Sequence, residues 1–328
     1  MRSMKRIILL CALALLALSC TEQRYRVSPF ARKPQMAVAR YDREFFETGT
    51  IADDAFRRLY EEKILQVGEM DAPQSEVFLE IFRTDSDMCR VYADCGECFD
   101  QAFQSAFERK VSKAFLRLCT FIEDMPLPAL SFHLSGFGQS VVSAPDILSV
   151  SVDKYLGGDY PLYADLFYDY QLVRMSPERM AADCLNAWIR SEFSEENLLS
   201  DSRVLDYMVY EGKILFLLRK VMPDEPFEYL AGWNREQADW CRANERNMWE
   251  RLNAYEQLYE RDRLMARNYF GENPTTVYFP PEAPGRALCW VGYQMVARYM
   301  AAEPSCDLLS LMMETDAERV LTRSVYRP

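Results

Sequence analysis

Apolar residues recur at helical spacing along most of this chain and alternate with polar ones in one short stretch only. The clearest helix spans Phe99–Ile122, where Phe103, Phe107, Val111 and Phe115 stack one turn apart as an aromatic stripe that reads as core. Ile51–Val67 and Ser75–Asp85 carry the same period, and Val38–Glu47 reads as a short strand running into a helix. Met125-Pro126-Leu127-Pro128 stops the aromatic helix. Beyond it Leu130–Phe137, Gln139–Ser143 and Ile147–Leu156 alternate apolar and polar positions, divided by Gly138 and by Ala144-Pro145-Asp146. This predicts three strands of one modest sheet.

Everything after Gly158 is helical with aromatic-rich loops. Ser176-Pro177-Glu178 predicts a helix start, with a capping hydroxyl, Pro at the first helical position and an acid behind it, and that helix runs to about Phe193. A second covers roughly Arg203–Val221 and ends before Pro223. Asn234, with Gln237 three residues on, opens a third that reaches about Tyr259, and Pro284-Gly285 precedes a fourth through Met300. With 49% apolar and 13% aromatic residues and only 12 Gly, the composition is that of an ordered globular protein. The pattern predicts a single α+β domain over 38–328, predominantly α-helical with a small β-sheet.

The front of the chain is different. Arg2, Lys5 and Arg6 precede an apolar run from Ile7 to Leu18, too short for a bilayer span of about 20 apolar residues. This is the layout of a secretory signal over 1–19. Its cut point, Ala17-Leu18-Ser19-Cys20, resembles the lipobox of bacterial lipoproteins. That resemblance implies that Cys20 is acylated and becomes the new N-terminus. Residues 20–37 then form a flexible tether with two prolines and no periodicity, of which Thr21–Gln35 spans at most about 50 Å. Between Thr21 and Gln35, Arg24, Arg26, Arg32 and Lys33 stand against one acid, Glu22. Such residues are drawn to anionic head groups beside a membrane anchor, or they simply solubilise a linker. The formal net charge of the whole chain is −12, and losing the signal makes it more acidic. An acidic body with no basic patch has no basis for binding nucleic acid.

The sequence also excludes chemistry. His133 is the single histidine, so the paired imidazoles of an H-E-x-x-H zinc site cannot form. Placed in a strand, His133 reads as packed or hydrogen-bonded rather than catalytic. No phosphate-cradling glycine motif is present. Past Cys20 the thiols are Cys89, Cys95, Cys98, Cys119, Cys184, Cys241, Cys289 and Cys306. Cys95 and Cys98 have redox spacing, but the surrounding Asp85, Asp87, Asp94, Glu97 and Asp100 suppress the thiolate. A structural disulfide, Cys95–Cys98 or one involving Cys89, is the expectation for an exported protein, and the other thiols read as buried.

One helix carries an anomaly. Val204, Met208, Leu215 and Leu218 share a face and Glu211 falls in its middle, while Asp206, Lys213 and Lys220 mark a narrow solvent strip opposite. A carboxylate there must be hydrogen-bonded, paired with a cation, or protonated. Gly212 beside it admits another backbone. Glu245, one turn from Cys241 and Trp249, is a second case, and Arg286 and Arg298 are candidate partners of these acids. Paired acids serve acid/base chemistry or hold a hard metal. Equally, they form buried ion pairs that fix helix register.

Ser151–Tyr163, Arg174–Trp188, Leu205–Phe216, Gly232–Trp249 and Pro284–Met300, with ARYDREFF near the start and SVYRP at the end, resemble the blocks of the GldB gliding-motility lipoproteins over 38–328. The resemblance implies an envelope lipoprotein used in gliding and in the associated type IX secretion machinery. Its partners would be envelope proteins of that apparatus, and it implies no cofactor and no reaction. The family is similar at a distance to zinc-peptidase-like domains, whose Glu-Gly pair matches Glu211-Gly212. The place of H-E-x-x-H, Asp183-Cys184-Leu185-Asn186-Ala187, holds no histidine, so the implied fold is degenerate and zincin-like with its metal motif lost. Thr21, not Asp, after the lipidated Cys implies the outer membrane, facing the periplasm. The favoured expectation is a non-catalytic interaction domain, its aromatic Gly157–Leu172 stretch offering contact surface. The alternative is a hydrolase using Glu211 and Glu245.

Overall fold

The alternating stretch becomes the middle of a four-stranded mixed sheet in this computed structural model, which describes residues 24–68, 70–198 and 202–328. The expected signal over 1–19 and the expected lipidation site, Cys20, lie outside the described residues. The strands are β1 (Val38–Arg40), β2 (Ala129–His133), β3 (Val141–Ala144) and β4 (Ile147–Ser151), in the order β1-β2-β4-β3. β1, β2 and β4 run parallel and β3 pairs antiparallel with β4. The β3–β4 turn uses Pro145-Asp146, with Asp146 at φ 58°, the positive φ that a type II turn takes after a leading Pro. The crossover from β1 to β2 is made by α1 (Tyr41–Thr48), α2 (Asp54–Leu59) with a wide turn at Tyr60–Ile64, α3 (Ala72–Thr84), α4 (Ser86–Cys98) and α5 (Gln101–Phe121).

Leu130, Phe132, Leu148 and Val150 pack toward α5, with the Phe132 ring 5.2 Å from that of Phe107. The intervening polar positions are buried as well, with Ser131, His133, Ser149 and Ser151 all at 2% exposure or less. Ser131, His133 and Ser149 tolerate this by pairing with one another, and Ser151 by bonding Ser135 Oγ and Asp153. Ser131 Oγ donates to Ser149 Oγ at 2.8 Å, and His133 Nδ1 lies 2.7 Å from the same hydroxyl. His133 is walled in by Phe56 and Tyr60. Burial pushes its imidazole down to about 3, so it is neutral and enclosed.

The helical half is built on α6 (Met180–Glu192), α7 (Val204–Val221), α8 (Arg235–Ala243), α9 (Glu245–Ala254), α10 (Arg263–Phe270), α11 (Leu288–Ala302), α12 (Leu308–Met313) and α13 (Ala317–Ser324). Asn234 and Gln237 form the expected reciprocal cap of α8, but the long helix predicted from there breaks at Asn244 into α8 and α9. At Ser176 the hydroxyl makes no cap bond, and a 3-10 turn over Pro177–Arg179 leads into α6 instead. α7 is buried nearly all round, as expected of a central helix. Gly212 on α7 faces Gly292 on α11, where an added Cβ would lie 2.3 Å from the Gly292 carbonyl. The two backbones therefore cross in contact.

Two expectations change here. Lys213 is not on a solvent strip but 2% exposed, donating to the carbonyls of Met312 (3.0 Å) and Glu314 (2.7 Å) at the end of α12. Burial brings it down to about 8. An ammonium is tolerated there because it satisfies helix-end carbonyls that have no intrahelical partner. Lys213→Met should leave both carbonyls unsatisfied and cost about 2 kcal/mol, read as a lower urea midpoint at unchanged slope. The predicted tether is likewise not free from Arg24 onward. Tyr25 packs on Phe121 and Phe216, and Met36 is buried.

Candidate functional site

Glu211 is where the polar residues of the helical half converge. Its position on α7 is fixed by the backbone contact at Gly212, and it is 6% exposed. Arg190 on α6 grips both its oxygens, Nη1 to Oε1 at 2.8 Å and Nη2 to Oε2 at 2.7 Å. Arg286, at φ 62° just ahead of α11, adds a third bond to Oε2 at 3.0 Å. Cys289 Sγ lies 3.6 Å from the same oxygen. Each guanidinium is itself steered: Arg190 Nε donates to Asn186 Oδ1 at 2.8 Å, and Arg286 Nη1 to the Ala231 carbonyl. Burial pushes the Glu211 carboxyl up, but the two cations and their hydrogen bonds outweigh it and hold the group at about 2.

A second network lies in the same cleft. Arg174 pairs with Glu272 and lies 3.8 Å from Asp183 on α6, whose other oxygen accepts from the Tyr155 hydroxyl at 2.9 Å. Burial raises Asp183 against the pull of Arg174. Lys154, held with its ammonium 3.9 Å above the Phe167 ring, is lowered by burial. Together with Glu195, Gln237, Asn273 and the backbone at Gly232-Trp233 and Gly285, these groups line a cavity of about 490 Å³. Its wall carries four cations (Lys154, Arg174, Arg190, Arg286) and four acids (Asp183, Glu195, Glu211, Glu272). Such a lining presents paired charge of both signs, with amide donors and acceptors between.

The structure brings together only some of the residues singled out from sequence. Glu211 and Arg286 meet, as expected. Glu245 is elsewhere, at the start of α9, accepting from Trp290 Nε1 (2.8 Å) and the Tyr326 hydroxyl (2.9 Å). Arg298 pairs with neither acid; it donates to the Arg327 carbonyl and lies over the Tyr326 ring. The Cys95–Cys98 bridge is also corrected: both are free thiols on the last turn of α4, and Cys89, on its first turn, is free as well. Cys95 points into the core while Cys98 is half-exposed, and burial raises both. Of the aromatic stretch, Tyr163 is buried, Tyr170 lines the cleft and Tyr168 is 74% exposed.

Arg190 and Arg174 were missed. Arg190 carries a signal that the sequence did offer: Asp183, Asn186 and Arg190 make a polar stripe on an otherwise apolar helix. Asp183 to Ala187 is also where the zinc-peptidase likeness would place its histidines. The residues present do not fit a metal. A bidentate guanidinium and a second cation occupy the Glu211 oxygens, and among the described residues no three His, Cys, Asp or Glu side chains converge.

The protein-family model described as "Gliding motility protein GldB" matches residues 23–328. No curated protein and no solved structure matches the chain.

Proposed function

We infer the role from kinship and cleft together: the chain belongs to the gliding motility protein GldB family, and its Glu211 cleft is suited to holding a ligand rather than breaking one. Association with gliding motility and an envelope location follow from the family. Among the described residues no helix is long and apolar enough to cross a membrane, and in our reading the acylated Cys20 supplies the attachment. In our reading the protein is a lipid-anchored, non-catalytic binding domain, at the outer membrane and facing the periplasm. It holds a polypeptide segment of an envelope partner from the motility and type IX secretion apparatus.

The observation that carries this is the state of Glu211. A carboxyl held at about 2 with both oxygens bonded to guanidiniums is a poor base. The Glu211 with Glu245 form of the hydrolase alternative has no geometric support, since Glu245 is engaged with Trp290 and Tyr326. What the cleft offers instead is preorganised charge of both signs, suited to the backbone and side chains of a mixed-charge peptide. Exposed Tyr168, stacked on Tyr170 at 5.9 Å, extends that surface at the rim.

Ala187 lines the cleft one turn from Arg190 and is only partly buried. Ala187→Trp should fill the cavity, abolish gliding, and remove a specific partner from crosslinked envelopes, with the melting temperature within about 3 °C of the parent. Gliding that survives a filled cleft would sink this reading. Peptide hydrolysis by the parent protein that is lost in Asp183→Asn would replace it with an enzymatic one.

A further inference from the structure

The segment between the anchor and the body is built as a contact, not as a leash. The Tyr25 ring is 5.8 Å from Phe121, at the end of α5, and 4.5 Å from the Lys220 ammonium on α7. Met36 N donates to Ser112 Oγ at 3.1 Å and Val38 N to Glu108 Oε1 at 2.9 Å, both further back on α5. Phe121 and Ser112 are about 13 Å apart along that helix. The longer stretch of chain between the two pins has to bulge outward.

At the crest of the bulge the backbone is ordered. Ala31 N donates to the Ser28 carbonyl at 3.0 Å and Phe30 N to Ser28 Oγ at 3.2 Å, closing a turn around Pro29. That turn holds Phe30 out at 94% exposure, the most exposed large apolar side chain among the described residues. Arg26, Arg32 and Lys33 flank it, all exposed, and no acid occurs from Arg24 to Ala37 in a chain otherwise rich in acids. A protruding aromatic ringed by cations is the chemistry of an anionic bilayer interface.

Reach selects the occupant. Only Thr21, Glu22 and Gln23 separate Cys20 from Arg24, a span of at most about 14 Å. An acyl chain on Cys20 therefore brings the turn down to the headgroups. We propose that the Ser28–Ala31 turn, with Arg26, Arg32 and Lys33, is a second membrane contact that docks on anionic lipid beside the acylated Cys20 and fixes the orientation of the body. This rests on the lipid-anchor reading. It has a geometric consequence: Lys220, under Tyr25, and Glu211 lie about half a turn apart around α7, so the cleft sits on the far side of that helix from the membrane.

The test uses the full acylated chain in vesicles whose lipid tails carry bromine, made of phosphatidylcholine alone or of equal parts phosphatidylcholine and phosphatidylglycerol. Phe30→Trp should add emission that is quenched about twofold on the anionic vesicles and much less on the neutral ones. Adding Arg26→Gln, Arg32→Gln and Lys33→Gln should weaken the docked state about a hundredfold and abolish the difference. Residue 30 unquenched on both vesicles, or quenched equally with and without the three cations, overturns the proposal. Mass spectrometry of the mature N-terminus tests the anchor separately. An unacylated N-terminus removes the anchor reading, while acylated protein with indifferent Phe30→Trp fluorescence removes the docking turn alone.

Discussion

Gly292→Ala should destabilise the protein by about 3 kcal/mol, although alanine is the better helix former by about 1 kcal/mol. The new Cβ would lie 2.0 Å from the Met208 carbonyl oxygen, a distance no methyl group can hold. The obstruction is backbone, not a flexible side-chain end, so α7 and α11 must separate. That separation moves Arg286 and Cys289, just ahead of and within α11, relative to Glu211, and the loss should appear in the cleft as well as in the urea midpoint. Gly212→Ala, from the other side of the crossing, should behave alike, its Cβ 2.3 Å from Gly292. Gly96 supplies the contrast. It sits inside α4 with nothing within 4 Å of an added Cβ, so Gly96→Ala should stabilise by about 0.5–1 kcal/mol. Equal effects at Gly96 and Gly292 in chemical denaturation would mean that helix propensity, and not contact between backbones, governs both.

This crossing marks how far a sequence can be read. Gly212 beside a carboxylate on an apolar face announced a close approach, but the partner glycine lies on a helix that the apolar pattern alone could not pair with it. The sheet divides the same way. Its strands are visible as alternation, yet the order β1-β2-β4-β3 rests on parallel pairings between segments far apart in the chain, and β1 is only three residues long. The alternation at Ser131, His133, Ser149 and Ser151 is also ambiguous by nature. Period two says that one face is polar, and not whether that face meets water or, as here, a lattice of hydroxyls sealed under Phe56 and Tyr60. At the site, Glu211 and Arg286 were legible because each breaks an apolar pattern. Lys213 breaks one too, but helical angle alone placed it in solvent, since the carbonyls it satisfies come from the end of α12, about a hundred residues further along the chain. Arg298 shows the reverse error, a cation among apolar residues whose partners proved to be a carbonyl and a ring.

Glu211→Gln should cost about 3 kcal/mol, because it removes the anion that bridges two partly buried guanidiniums and leaves them to Glu195 and Glu272, neither of which is in salt-bridge contact with them. The same carboxyl sets an acid limit. Its folded pKa, about 2, lies below its ordinary 4.5, so its contribution is fully present above pH 4.5 and is lost as the pH falls through 2. That contribution is about 3 kcal/mol. In the Gln variant this part of the acid slope should be missing, so the gap between parent and variant should open as the pH rises from 2 to 4.5 and stay constant above 4.5. Adding Arg286→Met to Glu211→Gln should recover part of the loss, since one stranded cation goes with the anion, and the shortfall from additivity measures the coupling. Gliding should fall together with stability in Glu211→Gln. A Glu211→Gln protein as stable as the parent, with its acid slope intact but gliding abolished, would mean that the carboxylate serves chemistry at the cleft and not the geometry that holds α6, α7 and α11 together.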